Sequence, residues 1–204
     1  MQSSLPKQFI QINEKPLLMY TIERFYRFDP TTEILLTLPE EWLGYWESLL
    51  SEHDFKLPHR VIAGGAERYD SIKNALAKCT GSIIGVHDGV RPLVEEETIR
   101  HCFLAAETKG AVIPVVNIVE SLRRKTGATT EIVDRSEYII VQTPQCFQRE
   151  ILLEAYKLPF HAGITDDASL VEEAGYTIET IAGNESNIKI TTQFDLKYAE
   201  VFLR

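Results

Sequence analysis

The chain has 204 residues, of which 44% are hydrophobic and 25% are charged, and this composition excludes a disordered or fibrous protein. The formal net charge is −9, which argues against a duplex nucleic-acid-binding protein but leaves room for a local positive pocket that binds a small anion. No apolar stretch is long enough to cross a membrane, and the N-terminus lacks the layout of a signal peptide. Three widely spaced cysteines (Cys79, Cys102, Cys146) suit a reducing cytoplasm, where we expect the protein to reside.

Segments with the pattern of strands alternate along the chain with segments of helical spacing. The predicted strands are 33–38, 60–63, 82–87, 111–116, 138–141, 176–181 and 187–190. The predicted helices are 40–53, 67–77, 95–109, 149–157, 166–174 and 193–202. This alternation is typical of an α/β fold, here expected as one domain over residues 1–204, with a mostly parallel sheet flanked by helices. Such sheets bind ligands beyond the carboxyl ends of their strands.

Residues 117–137 interrupt the alternation with a polar and basic segment. Gly127 lies among β-branched residues, which predicts the tip of a β-hairpin. A two-stranded hairpin has too little core to be stable alone. Two interpretations remain open: a β-arm that packs on a second subunit, or a mobile surface loop.

Three other segments carry candidate site residues. Gly64 and Gly65 follow a predicted strand and open a helix, so a nucleotide base or phosphate could approach the backbone there, although a glycine pair is also a common turn. Asp88 and Arg91 follow the strand 82–87; they could hold Mg²⁺ and phosphate, or simply pair with each other. Lys189 lies in the predicted strand 187–190, where an ammonium group needs a paired anion or a route to solvent.

Two further predictions concern single side chains. His87 has no second histidine at metal-site spacing, so we expect it to be packed rather than to bind a metal. Thr165 precedes two aspartates, which is typical of a helix N-cap. The patterns GxSxG, HExxH and the P-loop are absent from the sequence, so the corresponding serine, zinc and P-loop chemistries have no support.

Seven short motifs follow one another along nearly the whole chain: Leu5-Pro6-Lys7-Gln8-Phe9, Gly64-Gly65-x-Glu67-Arg68-x-Asp70-Ser71, Val86-His87-Asp88-x-x-Arg91-Pro92, Val133-Asp134-Arg135, Gln142-Thr143-Pro144-Gln145, Ile164-Thr165-Asp166-Asp167-Ala168 and Asn187-Ile188-Lys189. Their residues and their order resemble the 2-C-methyl-D-erythritol 4-phosphate cytidylyltransferase family. The resemblance implies a Rossmann-like nucleotidyltransferase fold, a homodimer and a place in the non-mevalonate isoprenoid pathway. The implied reaction joins CTP and methylerythritol phosphate to give 4-diphosphocytidyl-methylerythritol and pyrophosphate.

The resemblance also assigns roles to particular side chains. Catalytic roles, in which cations stabilise the transition state, fall on Lys7, Lys189 and Arg135. Contacts with the nucleotide fall on Gly65, Ala66, Ser71, Asp88 and Arg91, with Asp88 also holding a Mg²⁺ ion that bridges the triphosphate. Contacts with the sugar phosphate fall on Ser121, Arg123, Arg135, Thr143 and Thr165, the arm residues reaching it across the dimer interface.

The sequence departs from the family pattern in three places. Family members begin with a strand and a glycine-rich loop before the Pro-Lys-Gln motif, and we expect that segment to be missing from the N-terminus here. Ala66 stands where many members carry an acidic residue, and Glu120-Ser121-Leu122-Arg123 stands where Asp-Thr-Ile-Lys is usual. Two other functions are considered: a cytidylyltransferase for ribitol phosphate or another polyol phosphate, and a non-catalytic nucleotide-binding protein.

Overall fold

The computed structural model describes residues 5–203. The helices are α1 (Leu17–Phe28), α2 (Leu43–Glu52), α3 (Arg68–Leu76), α4 (Glu96–Lys109), α5 (Arg149–Ala155), α6 (Asp167–Glu173) and α7 (Gln193–Phe202). The strands are β1 (Gln11–Ile12), β2 (Lys15–Pro16), β3 (Leu35–Leu38), β4 (Arg60–Ala63), β5 (Ile83–Val86), β6 (Ala111–Asn117), β7 (Arg123–Thr126), β8 (Thr129–Ile132), β9 (Ile139–Val141), β10 (Gln145–Gln148) and β11 (Glu179–Ala182). Short 3₁₀ turns lie at Lys7–Phe9, Glu40–Trp42 and Arg135–Glu137. Over residues 5–203, none of these helices is both long enough and apolar enough to span a membrane.

The largest sheet has the strand order β11, β6, β10, β5, and β9 pairs with the carboxyl-terminal end of β6. Strand β11 runs parallel to β6, whereas β10 runs antiparallel to both β6 and β5. A separate parallel pair is formed by β3 and β4, and the hairpin of β7 and β8 forms another small sheet. Strands β5, β6 and β11 therefore run in one direction, with β10 reversed between two of them.

The predicted α/β fold is confirmed, but the sheet is mixed and not mostly parallel. The chain leaves β6 through the hairpin of β7 and β8 and returns as β9, antiparallel to β6, without a helix in between. Parallel neighbours need a crossover connection, so a return of this kind gives an antiparallel strand. Strand β10 was not predicted, because its four residues follow a proline and show no alternation of polar and apolar side chains.

Two other segments differ from the sequence-based prediction. The predicted strand 187–190 is wrong, because this segment is an irregular loop. The buried Asn187 side chain and a hydrogen bond from the Ile190 N–H to the Val90 carbonyl oxygen hold it in place of a strand ladder. Helix α1 had no prediction; it buries Leu17, Leu18 and Met19 in the core.

Three loops at the carboxyl ends of strands come together at one side of the molecule. The first follows β4 and contains Gly64 and Gly65, and the second follows β5 and contains Asp88. The third follows β11 and contains Lys189. Ion pairs join Asp88 to side chains of helix α3 and of the third loop, so the fold brings all three loops to one place.

Candidate functional site

Asp88 lies at the centre of a group of cations. Its Oδ2 atom is 3.2 Å from Arg91 Nε and 3.2 Å from Lys189 Nζ, and its Oδ1 atom is 3.9 Å from Arg68 Nε. Burial opposes ionisation of the carboxyl group, but Lys189 and the two arginines outweigh it and lower the pKa of Asp88. Arg68 is paired more closely with Asp167, so Lys189 and Arg91 leave a surplus of one positive charge over Asp88. That surplus favours binding of a further anion even though the whole chain is acidic. We call these four residues the Asp88 cluster.

His87 and Thr143 hold the backbone of Asp88. The Asp88 N–H donates to Thr143 Oγ1 at 3.2 Å, and Thr143 Oγ1 lies 3.0 Å from His87 Nδ1. His87 Nε2 lies 3.1 Å from the Arg91 carbonyl oxygen, which can only accept, so Nε2 carries the proton and Nδ1 accepts from the Thr143 hydroxyl. Removal of the ring from water lowers the pKa of His87 to about 4, which keeps it neutral. His87 is thus a packed histidine, as predicted, that fixes the 87–91 loop.

The Lys189 side chain extends from a loop that is fixed at both ends. Asn187 is fully buried. Its side-chain Nδ2 donates to the Thr143 carbonyl oxygen at 2.8 Å, and its backbone carbonyl oxygen accepts from Arg91 Nη1 at 2.7 Å. On the other side, the Ile190 N–H bonds to the Val90 carbonyl oxygen. Lys189 lies between these two fixed residues with about half of its side chain exposed, at 49%. Lys189 therefore has both a paired anion, Asp88, and a route to solvent, but it lies in a loop and not in a strand.

The glycine loop forms a tight turn against the start of helix α3. The Gly65 N–H donates to Ser71 Oγ at 3.0 Å, and that hydroxyl donates to the Glu67 carbonyl oxygen at 3.1 Å. A Cβ atom on Gly65 would lie 2.2 Å from the Asp70 Cβ atom, so only glycine fits there. Ala66 is exposed at the tip of the loop. The structure thus brings Gly65, Ala66 and Ser71 into one turn.

Arg68, the first residue of α3, links this turn to the first residue of α6. Its Nη2 atom is 2.6 Å from Asp167 Oδ2, and Asp167 Oδ1 accepts from the Tyr156 hydroxyl at 2.6 Å. Partial burial opposes the charge on Arg68, but the carboxylates of Asp167 and Asp88 outweigh it and raise the pKa of Arg68. Burial, followed by the charge of Asp167, raises the pKa of Tyr156. Arg68, Asp167 and Tyr156 carry no site role predicted from the sequence.

Thr165 lies one residue before the N-cap of helix α6. The N-cap of α6 is Asp166, whose carboxylate accepts from the Ser169 N–H at 2.9 Å, and Thr165 is exposed. The prediction that Thr165 caps the helix is therefore wrong. Asp166 occupies the cap position because Gln145 fixes both the Asp166 side chain and the start of the helix. Gln145 Nε2 donates to the second carboxylate oxygen of Asp166 at 2.7 Å, and Gln145 Oε1 accepts from the Ala168 N–H.

The hairpin predicted around Gly127 is confirmed, and candidate residues lie on it and at its base. The Arg123 guanidinium donates to Thr130 Oγ1 and to the Thr130 carbonyl oxygen in the hairpin itself. Arg135 donates to the Val119 carbonyl oxygen at the base of the hairpin, and Ser121 is exposed. Among the hydrogen bonds and ion pairs found within residues 5–203, none joins these side chains, or Lys7, to the Asp88 cluster.

The donor set around Asp88 fits a magnesium ion only in combination with a phosphorylated ligand. No group of three or more His, Cys, Asp or Glu side chains placed to hold a metal occurs within residues 5–203. Mg²⁺, however, commonly binds one or two carboxylates together with substrate phosphate oxygens. The single ionised carboxylate of Asp88, beside cations that attract phosphate, suits a magnesium ion that is bound jointly by the protein and by substrate phosphates.

This fold recurs in solved structures. The crystal structure of 2-C-methyl-D-erythritol 4-phosphate cytidylyltransferase from Thermus thermophilus matches 97% of this chain and 93% of its own, with a TM-score of 0.81 and 30% sequence identity. The shared fold, together with a positively charged site beyond the strand ends, defines a nucleotidyltransferase.

The sequence comparisons identify the family. The family model for 2-C-methyl-D-erythritol 4-phosphate cytidylyltransferase matches residues 1–204. Proteins of that name from Bacteroides fragilis and Bacillus cereus are 48% and 39% identical to this chain; the alignments cover 100% and 97% of it and 93% and 89% of those proteins. The chain belongs to the 2-C-methyl-D-erythritol 4-phosphate cytidylyltransferase family, as the seven motifs indicated. Because these relatives are named for methylerythritol phosphate, the ribitol alternative is not favoured.

Proposed function

We propose that the protein transfers the cytidylyl group of CTP to 2-C-methyl-D-erythritol 4-phosphate, releasing pyrophosphate, as a step of isoprenoid biosynthesis. The observation that carries this proposal is the Asp88 cluster at the carboxyl ends of the strands. There Lys189 and Arg91 lie beside one carboxylate, and Arg68 is held mainly by Asp167. Both substrates carry phosphate groups, and the surplus positive charge of the cluster suits them. Family membership over the full chain supplies the identity of the two substrates.

The reaction needs no protein nucleophile. A phosphate oxygen of methylerythritol phosphate attacks the α-phosphorus of CTP, a new P–O bond forms, and the bond to the pyrophosphate leaving group breaks. Negative charge then crowds at the α-phosphate, and the protein lowers the barrier by holding both phosphates close and by placing cations beside them. We assign this charge stabilisation to Lys7, Lys189 and Arg135, and we assign Arg91 to contact with the phosphates of CTP. Asp88 would hold Mg²⁺, which supplies charge neutralisation on the triphosphate when bound.

The glycine loop is assigned to the nucleotide. Gly65 and Ala66 present backbone groups at an exposed tip, and the Ser71 hydroxyl lies directly behind them. This arrangement supports recognition of the cytosine and ribose mainly through backbone atoms. The replacement of an acidic residue by Ala66 therefore has little consequence for nucleotide binding.

The sugar phosphate is assigned to residues of two subunits. Thr143 and Thr165 would come from one chain, and Ser121, Arg123 and Arg135 from the arm of its partner in a homodimer. The hairpin and the neighbouring strand β9 expose large apolar side chains: Val119, Ile132, Ile139 and Ile140 are 68%, 80%, 46% and 47% exposed. Within residues 5–203 no strand pairs with the outer edge of β9. An open edge beside exposed apolar side chains supports a second copy of the chain as the partner.

Two coarser assignments complete the proposal. We assign residues 1–204 to one nucleotidyltransferase domain, with 117–137 as its arm. We assign the protein to the cytoplasm, which agrees with the three free cysteines.

The test is release of pyrophosphate, measured with inorganic pyrophosphatase and a phosphate assay. CTP and Mg²⁺ are combined with methylerythritol phosphate, with ribitol 5-phosphate, or with no acceptor. We expect turnover with methylerythritol phosphate to exceed that with ribitol 5-phosphate by about tenfold or more. Faster turnover with ribitol 5-phosphate would overturn the substrate assignment. Binding of CTP without any release of pyrophosphate would favour the non-catalytic alternative.

A further inference from the structure

An ion pair joins the first residue of helix α3 to the first residue of helix α6. Arg68 Nη2 lies 2.6 Å from Asp167 Oδ2, and the Asp167 side chain is completely buried. The other carboxylate oxygen of Asp167 accepts from the buried Tyr156 hydroxyl at 2.6 Å. A buried carboxylate is stable only when it is paired and hydrogen-bonded, and Asp167 is held on both sides.

Each of the two helices begins directly after a loop that the proposed function assigns to a different substrate. The loop before α3 contains Gly65 and Ala66, which we assign to the nucleotide. The loop before α6 contains Thr165, which we assign to the sugar phosphate. The ion pair is therefore a direct link between the two halves of the site. The Arg68 guanidinium also faces the centre of the site, with Nε 3.9 Å from Asp88 Oδ1.

Each loop has its own internal hydrogen bonds that do not involve the ion pair. The nucleotide loop is held by the Gly65 N–H to Ser71 Oγ bond. The loop before α6 is held by the cap from Asp166 to Ser169 and by Gln145. Loss of the ion pair should therefore leave each loop folded, but the distance between the two loops would no longer be fixed.

We propose that Arg68 is a positioning residue: acting through Asp167, it fixes the nucleotide loop relative to the sugar-phosphate loop so that the attacking oxygen and the α-phosphorus are aligned. The proposal rests on the proposed function. It predicts a particular kinetic signature, because each substrate still binds its own loop while the geometry between them is lost. The turnover number kcat should fall, and the KM values for the two substrates should change little.

The test compares Arg68→Gln, Asp167→Asn and the double variant by steady-state kinetics with both substrates varied. We expect each single variant to lower kcat about tenfold or more with both KM values within about threefold of wild type. Because the two residues act as one link, the double variant should be no slower than the slower single variant. Arg68→Lys, which keeps the charge but not the two-pronged guanidinium, should recover part of kcat.

Two control variants separate positioning from simple stabilisation. Tyr156→Phe removes the other hydrogen bond to Asp167 and should lower the melting temperature while leaving kcat near wild type. Arg60→Gln removes an arginine paired with Glu33 at 3.6 Å, at the opposite end of strand β4, and should change neither quantity appreciably.

Several results would overturn the proposal. One is an unchanged kcat in Arg68→Gln, and another is a loss of kcat in Tyr156→Phe equal to that in Arg68→Gln. A third is additive losses in the double variant, because additivity would mean that Arg68 acts on substrate without Asp167. If Asp167→Asn fails to fold, comparison of Arg68→Gln with Arg68→Lys and Tyr156→Phe still decides the matter. Wild-type turnover is measured in the same experiment, so failure of the proposed function would be seen separately as an inactive wild-type protein.

Discussion

The Asp88 cluster and the β7–β8 hairpin carry the two sets of candidate residues, and they are built in opposite ways. In the cluster, helix α3 and two distant loops hold one another: Asp88 pairs with Arg68 and Lys189, and Arg91 bonds to the Asn187 backbone carbonyl oxygen. In the hairpin, Arg123 bonds across to Thr130 within the same hairpin. The eight residues of β7 and β8 are almost all exposed.

This contrast indicates which part of the proposed site one chain can assemble. The cluster is already arranged in a single chain, so little reorganisation is needed before a phosphate binds. The hairpin has charge and hydroxyl groups but no core to hold them at a fixed place. Its residues can become part of a defined site only when the hairpin packs on another surface, and the exposed apolar side chains at its base favour a second copy of the chain.

The largest effect is expected from Lys189→Ala, which removes a cation from the cluster. We expect kcat to fall about 100-fold or more, because the charge that develops at the α-phosphate loses a partner. The melting temperature should hardly change, since about half of the Lys189 side chain is exposed. Steady-state pyrophosphate release and thermal denaturation check the two expectations.

The control for Lys189→Ala is Lys56→Ala. Lys56 is also an exposed lysine paired with an aspartate, with Nζ 2.8 Å from Asp54 Oδ1, but it is not part of the cluster. It should retain wild-type turnover. If Lys189→Ala turned over as fast as Lys56→Ala, Lys189 would have no place in the catalytic site.

Deletion of residues 124–130 addresses the other side of the comparison. Without the tip and much of both hairpin strands, we expect the dissociation constant of the proposed homodimer to rise about tenfold or more. Light scattering over a range of protein concentrations measures the molar mass. Circular dichroism should show an otherwise unchanged fold, because the hairpin is not packed into the core. A molar mass that matches wild type at every concentration would contradict the role of the arm in dimerisation.

Arg135→Ala should affect one substrate only. In the proposed dimer, Arg135 grips the phosphate of methylerythritol phosphate, so its loss should raise the KM for that substrate about tenfold and leave the KM for CTP within about twofold. Arg124→Ala is the matched control from the same arm, because no role in substrate binding is assigned to Arg124. Equal increases in both KM values for Arg135→Ala would show that the residue does not discriminate between the substrates.

Local sequence patterns predicted the elements that alternate regularly. Strand 60–63 and helix 193–202 have the predicted bounds, because their apolar spacing and flanking residues are decisive within a short window. Strand β10 and the loop 187–190 were missed or mistaken because their conformation depends on distant partners. The buried Asn187 side chain, for instance, bonds to Thr143, which lies 44 positions away in the sequence.

The same distinction holds for the site. Asp88 and Arg91 were found because they lie together after an apolar strand. Arg68 and Asp167 are 99 positions apart, and no local pattern pairs them. One signal was available: Asp167 falls on the same helix face as Leu170 and Val171, and a carboxylate on an apolar face needs a buried partner. The identity of that partner is a property of the fold.

The smallest effect is expected from Gly127→Ala at the tip of the hairpin. Gly127 has a φ of +61°, and an alanine there costs about 1 kcal/mol although nothing lies within 4 Å of an added Cβ atom. Because the residues of β7 and β8 are almost all exposed, the cost should fall mainly on the hairpin. In the monomeric state, amide hydrogen exchange over 123–132 should become about fivefold faster, while the melting temperature of the core stays within about 1 °C. A clear drop in that melting temperature would mean that the hairpin and the core unfold as one unit, and the contrast between the self-contained arm and the cross-linked Asp88 cluster would be lost.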